Sequence, residues 1–573
     1  MSIEVFSVIF ILGVPIATSI PLGLYMARVF SGQRTFLDPV LVPVENAVLK
    51  LATVDTAEEM DWKRYSRALL LSNVCMWMVT FFVVSLQGIL PLNPDGIAGM
   101  EPTLAFNTIS SFTTNTNLQH YSGETGLSYL SQMIAITFLQ FVTAATGMAA
   151  LVAILRALGG SGLEKLGNFY VDLTRAAVRV LLPLAVGVAL VLISQGTPMT
   201  FEGAARATTL EGAEQTIARG PVAAEVAIKQ LGTNGGGYFG PNSTHPYENP
   251  TPLSNLLETW AITCIPMAMV VTLGVMVRRR RFALTIFLTM LALYIPLVAV
   301  AVHQELRGSP AIAAMGIDQP MGSMEGKEVR FGAGASALWA VTTTVTSNGS
   351  VNSMHDSLTP LAGLMPMIGM WLNNIFGGVG VGFINMLIYI VVTVFVAGMM
   401  VGRTPEFLGK KVEAYEMKLA SLALLLHPLL ILGATAIACY VWATTADPGS
   451  ALAWLKNPGP HGFSEMLYEF SSASANNGSG FEGLGDNTPF WNVSTGLVVL
   501  LARYIPIVAP LALAASLGRK NAAPETEGSL GVDTFTFGFT LWAVVVILGV
   551  LMFMPAAVLG PIAEHLSMVA MPR

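Results

Sequence analysis

Long apolar runs alternate with shorter polar connectors along most of the chain. Ten of these runs meet the requirement of about 20 mostly apolar residues for a helix that crosses a membrane. The first run lacks the basic segment and the cleavage site of a signal peptide, so we expect it to be retained as a span. The runs are centred near residues 16, 79, 142, 186, 265, 292, 388, 432, 502 and 547.

Composition supports a membrane protein and excludes other classes. Of the 573 residues, 53% are hydrophobic and 11% are charged, whereas soluble proteins carry about 25% charged residues. The net charge of -6 gives no sign of nucleic-acid binding. We therefore predict an all-α polytopic protein embedded in the lipid bilayer, with no nucleic-acid partner.

Basic residues distinguish two kinds of connector. Connectors at about 28–67, 156–179, 278–281, 403–418 and 519–520 contain 6, 4, 4, 4 and 2 Lys or Arg residues. The alternate connectors at about 91–127, 196–253, 303–337 and 446–489 contain 0, 3, 3 and 1. Because basic loops are retained in the cytoplasm, we expect the second set and both termini to lie outside.

Each outer connector contains a stretch of roughly 10 to 14 residues that is compatible with a helix too short to span a membrane. A segment rich in Asn, Gly, Thr and Ser follows each stretch. We align Thr-Asn-Thr, Thr-Asn-Gly, Ser-Asn-Gly and Asn-Asn-Gly, which separates the third positions by 119, 114 and 129 residues. A nearly constant period indicates a repeat architecture. The third positions are Thr116, Gly235, Gly349 and Gly478.

The predicted unit is span, pore helix, filter loop, span, and four units surround a pseudo-four-fold axis. One extra span remains at each end. The first extra span and its cytoplasmic connector occupy 1–66, and the last extra span occupies 533–560. The four pore repeats are 67–157, 174–277, 282–401 and 418–517.

Asn- and Gly-rich loops at membrane depth predict an ion path. Backbone carbonyls there must line water or coordinate an ion, because an unsatisfied polar group costs several kcal/mol. Rings of such carbonyls replace the hydration shell of potassium in channel filters. None of the loops contains Asp or Glu, which favours a monovalent cation. The alternative is four ordinary surface turns, which their common register disfavours.

Longer blocks resemble the A chain of bacterial Kdp potassium pumps, a family in the superfamily of four-repeat potassium transporters. The blocks are 233–252, 351–360, 402–411 and 468–485, and the match extends nearly end to end. The resemblance implies a ten-span subunit of the bacterial inner membrane that takes potassium from outside. It implies partners as well: a P-type ATPase B subunit that hydrolyses ATP, a C subunit and a small single-span F subunit.

The resemblance also implies site residues. Thr116 interrupts the glycine pattern, which predicts an asymmetric ring suited to a pump. Gln119, Gly236, Gly237, Ser350 and Ser479 are the expected filter supports. The filter itself would comprise Asn115, Thr116, Asn117, Thr233, Asn234, Gly235, Ser347, Asn348, Gly349, Asn476, Asn477 and Gly478.

Two features beyond the filter predict an ion path. Arg503 interrupts an apolar run, which costs at least about 2.5 kcal/mol unless the arginine meets water or a partner. Either it lies beneath the filter and repels cations, or it extends to the cytoplasmic interface. The glycine-rich start of the seventh span predicts a break and a gating loop, and close helix packing is the alternative. Its residues are Asn373, Asn374, Gly377, Gly378 and Gly380.

Other chemistry receives little support. We interpret His120, His245 and His355 as hydrogen-bonding supports and expect no metal beyond potassium at the filter. The segment 402–411 has the wrong glycine spacing for a phosphate loop, and no P-type phosphorylation sequence is present, so we expect no bound nucleotide and no catalysis by this chain alone. The alternative function is a self-sufficient potassium channel or an ion-gradient-driven symporter of the same superfamily.

Overall fold

The computed structural model describes residues 3–445, 454–457, 459–523 and 531–570. Part of the predicted fourth outer connector lies outside these residues. Within them, ten helices are long and apolar enough to cross a membrane, and each corresponds to one predicted run. They are Val8–Phe30, Trp62–Ile89, Ser131–Gly159, Phe169–Gln195, Pro252–Met276, Arg280–Ala314, Val381–Met400, Ala414–Thr444, Pro489–Arg519 and Phe535–Val569.

Four shorter helices precede the predicted filter loops. The fourth has 16 residues and exceeds the predicted range of lengths. Each of the four ends within one residue of its loop, so the carbonyl ends of all four point towards the loops. These pore helices are Pro102–Thr113, Val222–Leu231, Gly332–Val345 and Pro460–Ala475.

The seventh span is preceded by a break in the helical path. Helix Pro360–Leu372 ends at Asn373, which has a left-handed backbone, and the span itself begins at Val381. Gly378 and Gly380 also have positive φ angles, of +43° and +101°. The predicted break is confirmed, because residues in these conformations cannot continue an α-helix.

The connectors add small elements that the hydrophobic pattern does not predict. Strands β1 (Ala205–Thr208) and β2 (Glu214–Ile217) form an antiparallel hairpin before the second pore helix. Strands β3 (Glu406–Phe407) and β4 (Lys410–Lys411) form a second hairpin. The turn between β3 and β4 contains Leu408 and Gly409, both with positive φ. Segment 402–411 is therefore a short hairpin connector. A further helix, Asp38–Leu51, lies between the first two spans.

Small residues let neighbouring spans approach closely. A Cβ at Gly23 of the first span would lie 2.5 Å from the carbonyl oxygen of Ala268 in the fifth span. Gly147 of the third span lies equally close to the helix break, since a Cβ there would be 2.3 Å from the carbonyl oxygen of Val379. Such contacts bring backbones together where bulky side chains would hold them apart.

Candidate ion-binding site

The four loops fold back onto their pore helices in the same way. In each repeat, the backbone N–H of the second loop residue donates to the carbonyl of the residue five positions earlier. The N–H of the third loop residue donates to that same pore-helix residue, to its carbonyl in the first two repeats and to its side-chain hydroxyl in the last two. This shared pattern sets the register of the repeats. The first bonds are Thr116 to Ser111, Asn234 to Lys229 and Asn477 to Ser472, each at 2.9 Å, and Asn348 to Thr343 at 2.8 Å.

The register corrects one of our predictions. Asn117, and not Thr116, occupies the position of the three glycines, and its φ of +58° lies in the same left-handed region. Asparagine enters that region at lower cost than most residues, because its short polar side chain bonds locally. The alignment on Thr116 was wrong by one residue. Thr116 therefore does not break the backbone pattern, and the ring differs between repeats mainly in its side chains.

Asparagine side chains close the loops into a ring. Each loop forms a hydrogen bond with the loop or pore helix of the neighbouring repeat, and the fourth loop forms one with the first. Residues more than 100 positions apart therefore hold one another in place. The bonds are Asn115 Nδ2 to Thr233 O (3.0 Å), Asn348 Nδ2 to Lys229 O (3.1 Å), Asn477 Nδ2 to Thr343 O (2.8 Å) and Asn476 Nδ2 to Thr116 Oγ1 (2.9 Å).

Glycine at the third position of three loops permits close contact between neighbours. A Cβ at Gly235 would lie 2.0 Å from the carbonyl oxygen of Asn348, and one at Gly349 would lie 2.1 Å from that of Asn477. A Cβ at Gly478 would lie 2.1 Å from the carbonyl oxygen of Thr116. Any side chain at these glycines would force the loops apart.

The second loop residues leave their carbonyl oxygens unused. Among the described residues, none of these four oxygens accepts a hydrogen bond. Buried carbonyls are normally paired, so four unpaired ones at equivalent positions are the ligands expected for a dehydrated cation. The four residues are Thr116, Asn234, Asn348 and Asn477.

The predicted supports surround the loops. Gln119 forms two bonds with the Gly237 backbone, accepting from its N–H at 2.8 Å and donating to its carbonyl at 3.0 Å. The N–H groups of Ser350 and Ser479 donate to the Oδ1 atoms of the asparagines two residues earlier, at 2.9 and 3.0 Å. A Cβ at Gly236 would lie 2.6 Å from the Phe112 ring.

Three residues that hold the loops were not predicted from the sequence. Gln140 in the third span donates to Asn117 Oδ1 at 3.1 Å and to the Gly236 carbonyl at 3.0 Å. Thr143, on the same span, donates to Asn115 Oδ1 at 2.9 Å. Asn242 donates to the Gly235 carbonyl at 2.7 Å. A buried amide within an apolar span was the available signal for Gln140.

The helix break lies against one side of the ring. The Val379 N–H donates to Thr233 Oγ1 at 2.8 Å, and the Gly378 N–H donates to the Thr346 carbonyl at 2.6 Å. Ser347 Oγ donates to Asn373 Oδ1 at 3.0 Å. The break therefore contacts the second and third loops directly.

Two further residues of the break have different surroundings. Asn374 is fully buried, and neither of its side-chain polar atoms has a partner. Gly380 approaches the third span so closely that a Cβ would lie 2.1 Å from the Gly147 carbonyl oxygen. Gly377 has the Val345 carbonyl oxygen 3.3 Å from its Cβ position.

A small cavity of about 40 Å³ adjoins the ring and the break. Arg503 lines it together with Asn115, Ser347, Asn373 and Gly378. Arg503 is buried, and it forms no salt bridge with the described residues. Its burial favours a position beneath the filter over extension to the interface, and its role stays a prediction.

The three histidines near the loops form polar and stacking contacts. His120 Nδ1 lies 2.7 Å from Asn492 Oδ1, and its Nε2 lies 3.0 Å from Glu469 Oε1. His355 Nδ1 lies 2.8 Å from the Tyr468 hydroxyl. Burial lowers the pKa of His355 to about 3, and the Lys327 charge acts in the same direction.

His245 stacks on Phe239 with ring centres 3.8 Å apart, and its Nδ1 accepts from the Tyr247 N–H at 3.1 Å. Burial lowers its pKa below the ordinary range. The neutral ring is therefore favoured, as expected for a stacked side chain that accepts a hydrogen bond.

Ten apolar spans around a closed ring of four filter loops define the class: a multi-pass membrane protein built from four pore-loop repeats. The chain belongs to the family of potassium-transporting ATPase A subunits, whose family model matches residues 9–566.

Curated relatives cover the chain almost completely. Proteins named potassium-transporting ATPase potassium-binding subunit are similar to it, from Flavobacterium johnsoniae at 51% identity and from Phocaeicola vulgatus at 52%. Each match covers 99% of this chain and 100% of the relative. The solved potassium transporter TrkH from Vibrio parahaemolyticus has a TM-score of 0.49 and 14% identity, with 78% of this chain and 84% of that chain covered.

Proposed function

We propose that this chain binds potassium at the four-loop ring and transfers it to a P-type ATPase partner that hydrolyses ATP. The observation that carries the proposal is the set of unpaired carbonyls of Thr116, Asn234, Asn348 and Asn477 in a closed ring. Carbonyl oxygens replace the water around a potassium ion, whereas a divalent cation would favour carboxylates. The names of the relatives support potassium as the ion.

The predicted residues take separate roles in this proposal. The twelve filter residues supply and shape the ring, and the five supports hold its backbone. The break at 373–380 forms the gate beneath the second and third loops. Arg503 repels cations in the cavity, which prevents free passage and retains the ion for transfer to the partner.

The remaining features of the proposal come from the resemblance. The protein lies in the inner membrane of a bacterium, with both termini on the periplasmic side. It assembles with B and C subunits and a small single-span F subunit. This chain holds no nucleotide, and ATP is hydrolysed in the B subunit.

The test compares the chain alone with its complex in liposomes. We expect potassium-stimulated ATP hydrolysis and potassium uptake by the complex, and no passive potassium flux through the chain alone. A complex without the ATPase subunit serves as the control. Selective, ATP-independent flux through the chain alone would support the channel or symporter function instead.

A further inference from the structure

A cluster of carboxylates and imidazole lies outside the ring, where the third and fourth repeats meet. Asp356 follows the third filter loop, and His461 and Glu465 lie one turn apart near the start of the fourth pore helix. One ligand-type atom from each residue lies within 4.8 Å of the others. His461 Nε2 is 2.9 Å from Asp356 Oδ1 and 4.0 Å from Glu465 Oε1.

The last span orients the imidazole. Glu564 Oε1 lies 2.7 Å from His461 Nδ1. Without a metal, both ring nitrogens of His461 share protons with carboxylates, Nδ1 with Glu564 and Nε2 with Asp356. A zinc ion would replace the Nε2 proton, and the lone pair of that nitrogen would then face the ion. Histidines that bind metals are held in this way, by a carboxylate on the nitrogen opposite the metal.

Glu465 supplies a second, independent observation. Its side chain has no solvent exposure, and its Oε2 has no hydrogen-bond partner. Among the described residues, His461 is the one basic side chain within ion-pair distance of Glu465 and Asp356, and neither carboxylate forms a salt bridge with Lys or Arg. An unpaired carboxylate oxygen in a buried site is costly without a cation.

Gly483 packs closely against the carboxylates of the cluster. A Cβ at Gly483 would lie 2.4 Å from Glu465 Oε1 and 2.8 Å from Asp356 Oδ2. The loop that follows the fourth filter segment therefore covers one side of the cluster. His461 remains partly exposed, with 18% of its side chain accessible, which provides an entry route.

We propose that Asp356, His461 and Glu465 bind one zinc ion, with a fourth position open to water. One imidazole and two carboxylates form a ligand set typical of zinc, whereas calcium and magnesium prefer oxygen ligands alone. The ion would join the third repeat to the fourth, and through Glu564 to the last span. The site is separate from the potassium ring and does not depend on the proposed transport function.

The experiment is zinc titration of the purified complex, first stripped of metal with a chelator, by isothermal titration calorimetry. We expect one zinc ion per chain. Glu465→Gln and His461→Gln, which nearly preserve side-chain size, should each raise the Kd at least tenfold. His303→Gln, at an exposed histidine that is not a member of the cluster, is the matched control and should leave the Kd unchanged.

Thermal unfolding with and without zinc provides the second measurement. Zinc should raise the Tm of the unaltered protein and of His303→Gln, and should leave the Tm of the two cluster variants unchanged. The proposal fails if either cluster variant binds zinc as tightly as the unaltered protein does. It fails equally if the unaltered protein binds none, or if calcium displaces zinc at equal concentration.

Discussion

At the residue scale, Gly235 tests the ring directly. Its φ is +85°, and a Cβ would lie 2.0 Å from the Asn348 carbonyl oxygen. Gly235→Asp adds this clash and places a carboxylate in a ring of neutral oxygens. We expect weaker potassium binding or poorer discrimination against sodium. The measurement is the dependence of ATP hydrolysis by the complex on each ion.

The control for this substitution is Gly402→Asp. Gly402 has a φ of +71° but no atom within 4 Å of its Cβ position. Gly402→Asp therefore introduces the same backbone strain and the same negative charge as Gly235→Asp, but no clash with a neighbouring carbonyl. Normal affinity and selectivity in Gly235→Asp would remove Gly235 from the filter.

The corrected register makes a second prediction at this scale. Asn117 occupies a glycine position, so Asn117→Gly keeps the backbone conformation of the loop. Gln140 Nε2 loses Asn117 Oδ1 as an acceptor but still donates to the Gly236 carbonyl, so this variant should retain most of the potassium affinity. Thr116→Gly removes one of the two acceptors of Asn476 Nδ2, the one that joins the fourth loop to the first, and should weaken binding by about 1 kcal/mol, or about fivefold. Apparent potassium affinities of the two variants provide the comparison. A larger loss in Asn117→Gly would support the original alignment.

At the element scale, the break before the seventh span depends on close backbone contact. Gly380 has a φ of +101°, and its Cβ position is 2.1 Å from the Gly147 carbonyl oxygen. Gly380→Ala should destabilise the protein by about 1–3 kcal/mol through overpacking, and should displace the break from the second filter loop. Thermal unfolding and potassium uptake measure the two effects.

Gly187→Ala is the matched control for this element. Gly187 lies within the fourth span, with no atom within 4 Å of its Cβ position. Alanine there should leave the Tm and uptake unchanged or slightly raised, because alanine favours helix. If Gly380→Ala behaves like this control, the break does not restrain the filter.

The hydrophobic pattern predicted the existence and position of all four pore helices, but not the length of the fourth. The fourth pore helix is longer than expected because its first turns carry polar residues that resemble a loop. His461 and Glu465 belong to this stretch, and their partners Asp356 and Glu564 come from distant segments. Tertiary contacts therefore stabilise helical residues whose local sequence suggests exposure.

At the scale of the whole molecule, His120 links the first loop to the fourth repeat. Burial lowers its pKa, but Asp486, Glu469 and Asn492 outweigh burial and raise the pKa to about 9. A histidine whose pKa is higher in the folded state stabilises the fold fully below its ordinary pKa of about 6.5. This stabilisation is lost as the pH rises from about 6.5 to about 9.

We therefore expect the Tm of the purified protein to fall across that pH window. His120→Gln should be less stable at pH 6 and should show a flatter profile, because glutamine carries no titrating proton. His303→Gln, at an exposed histidine, should retain the original profile. An equal pH dependence in His120→Gln would assign the effect to other groups.

The sequence by itself determined the ten spans and the existence of four recurrent loops. The length of an apolar run and the glycine content of a loop are local properties, so they can be recognised without knowing which segments lie next to them in the fold. The family blocks also identified the filter segments, although the role of each filter residue stays a prediction.

Only the tertiary structure decided the register of the first loop, the closure of the ring, and the meeting of Asp356 with His461 and Glu465. The register depends on bonds from the loop to its own pore helix, whereas Asn477 reaches Thr343 across 134 positions. An alignment based only on residue types placed Thr116 opposite the glycines, because residue types do not reveal which residue has the left-handed backbone. Contacts between distant segments arise only when the repeats assemble, and they determine which local polar groups become a site.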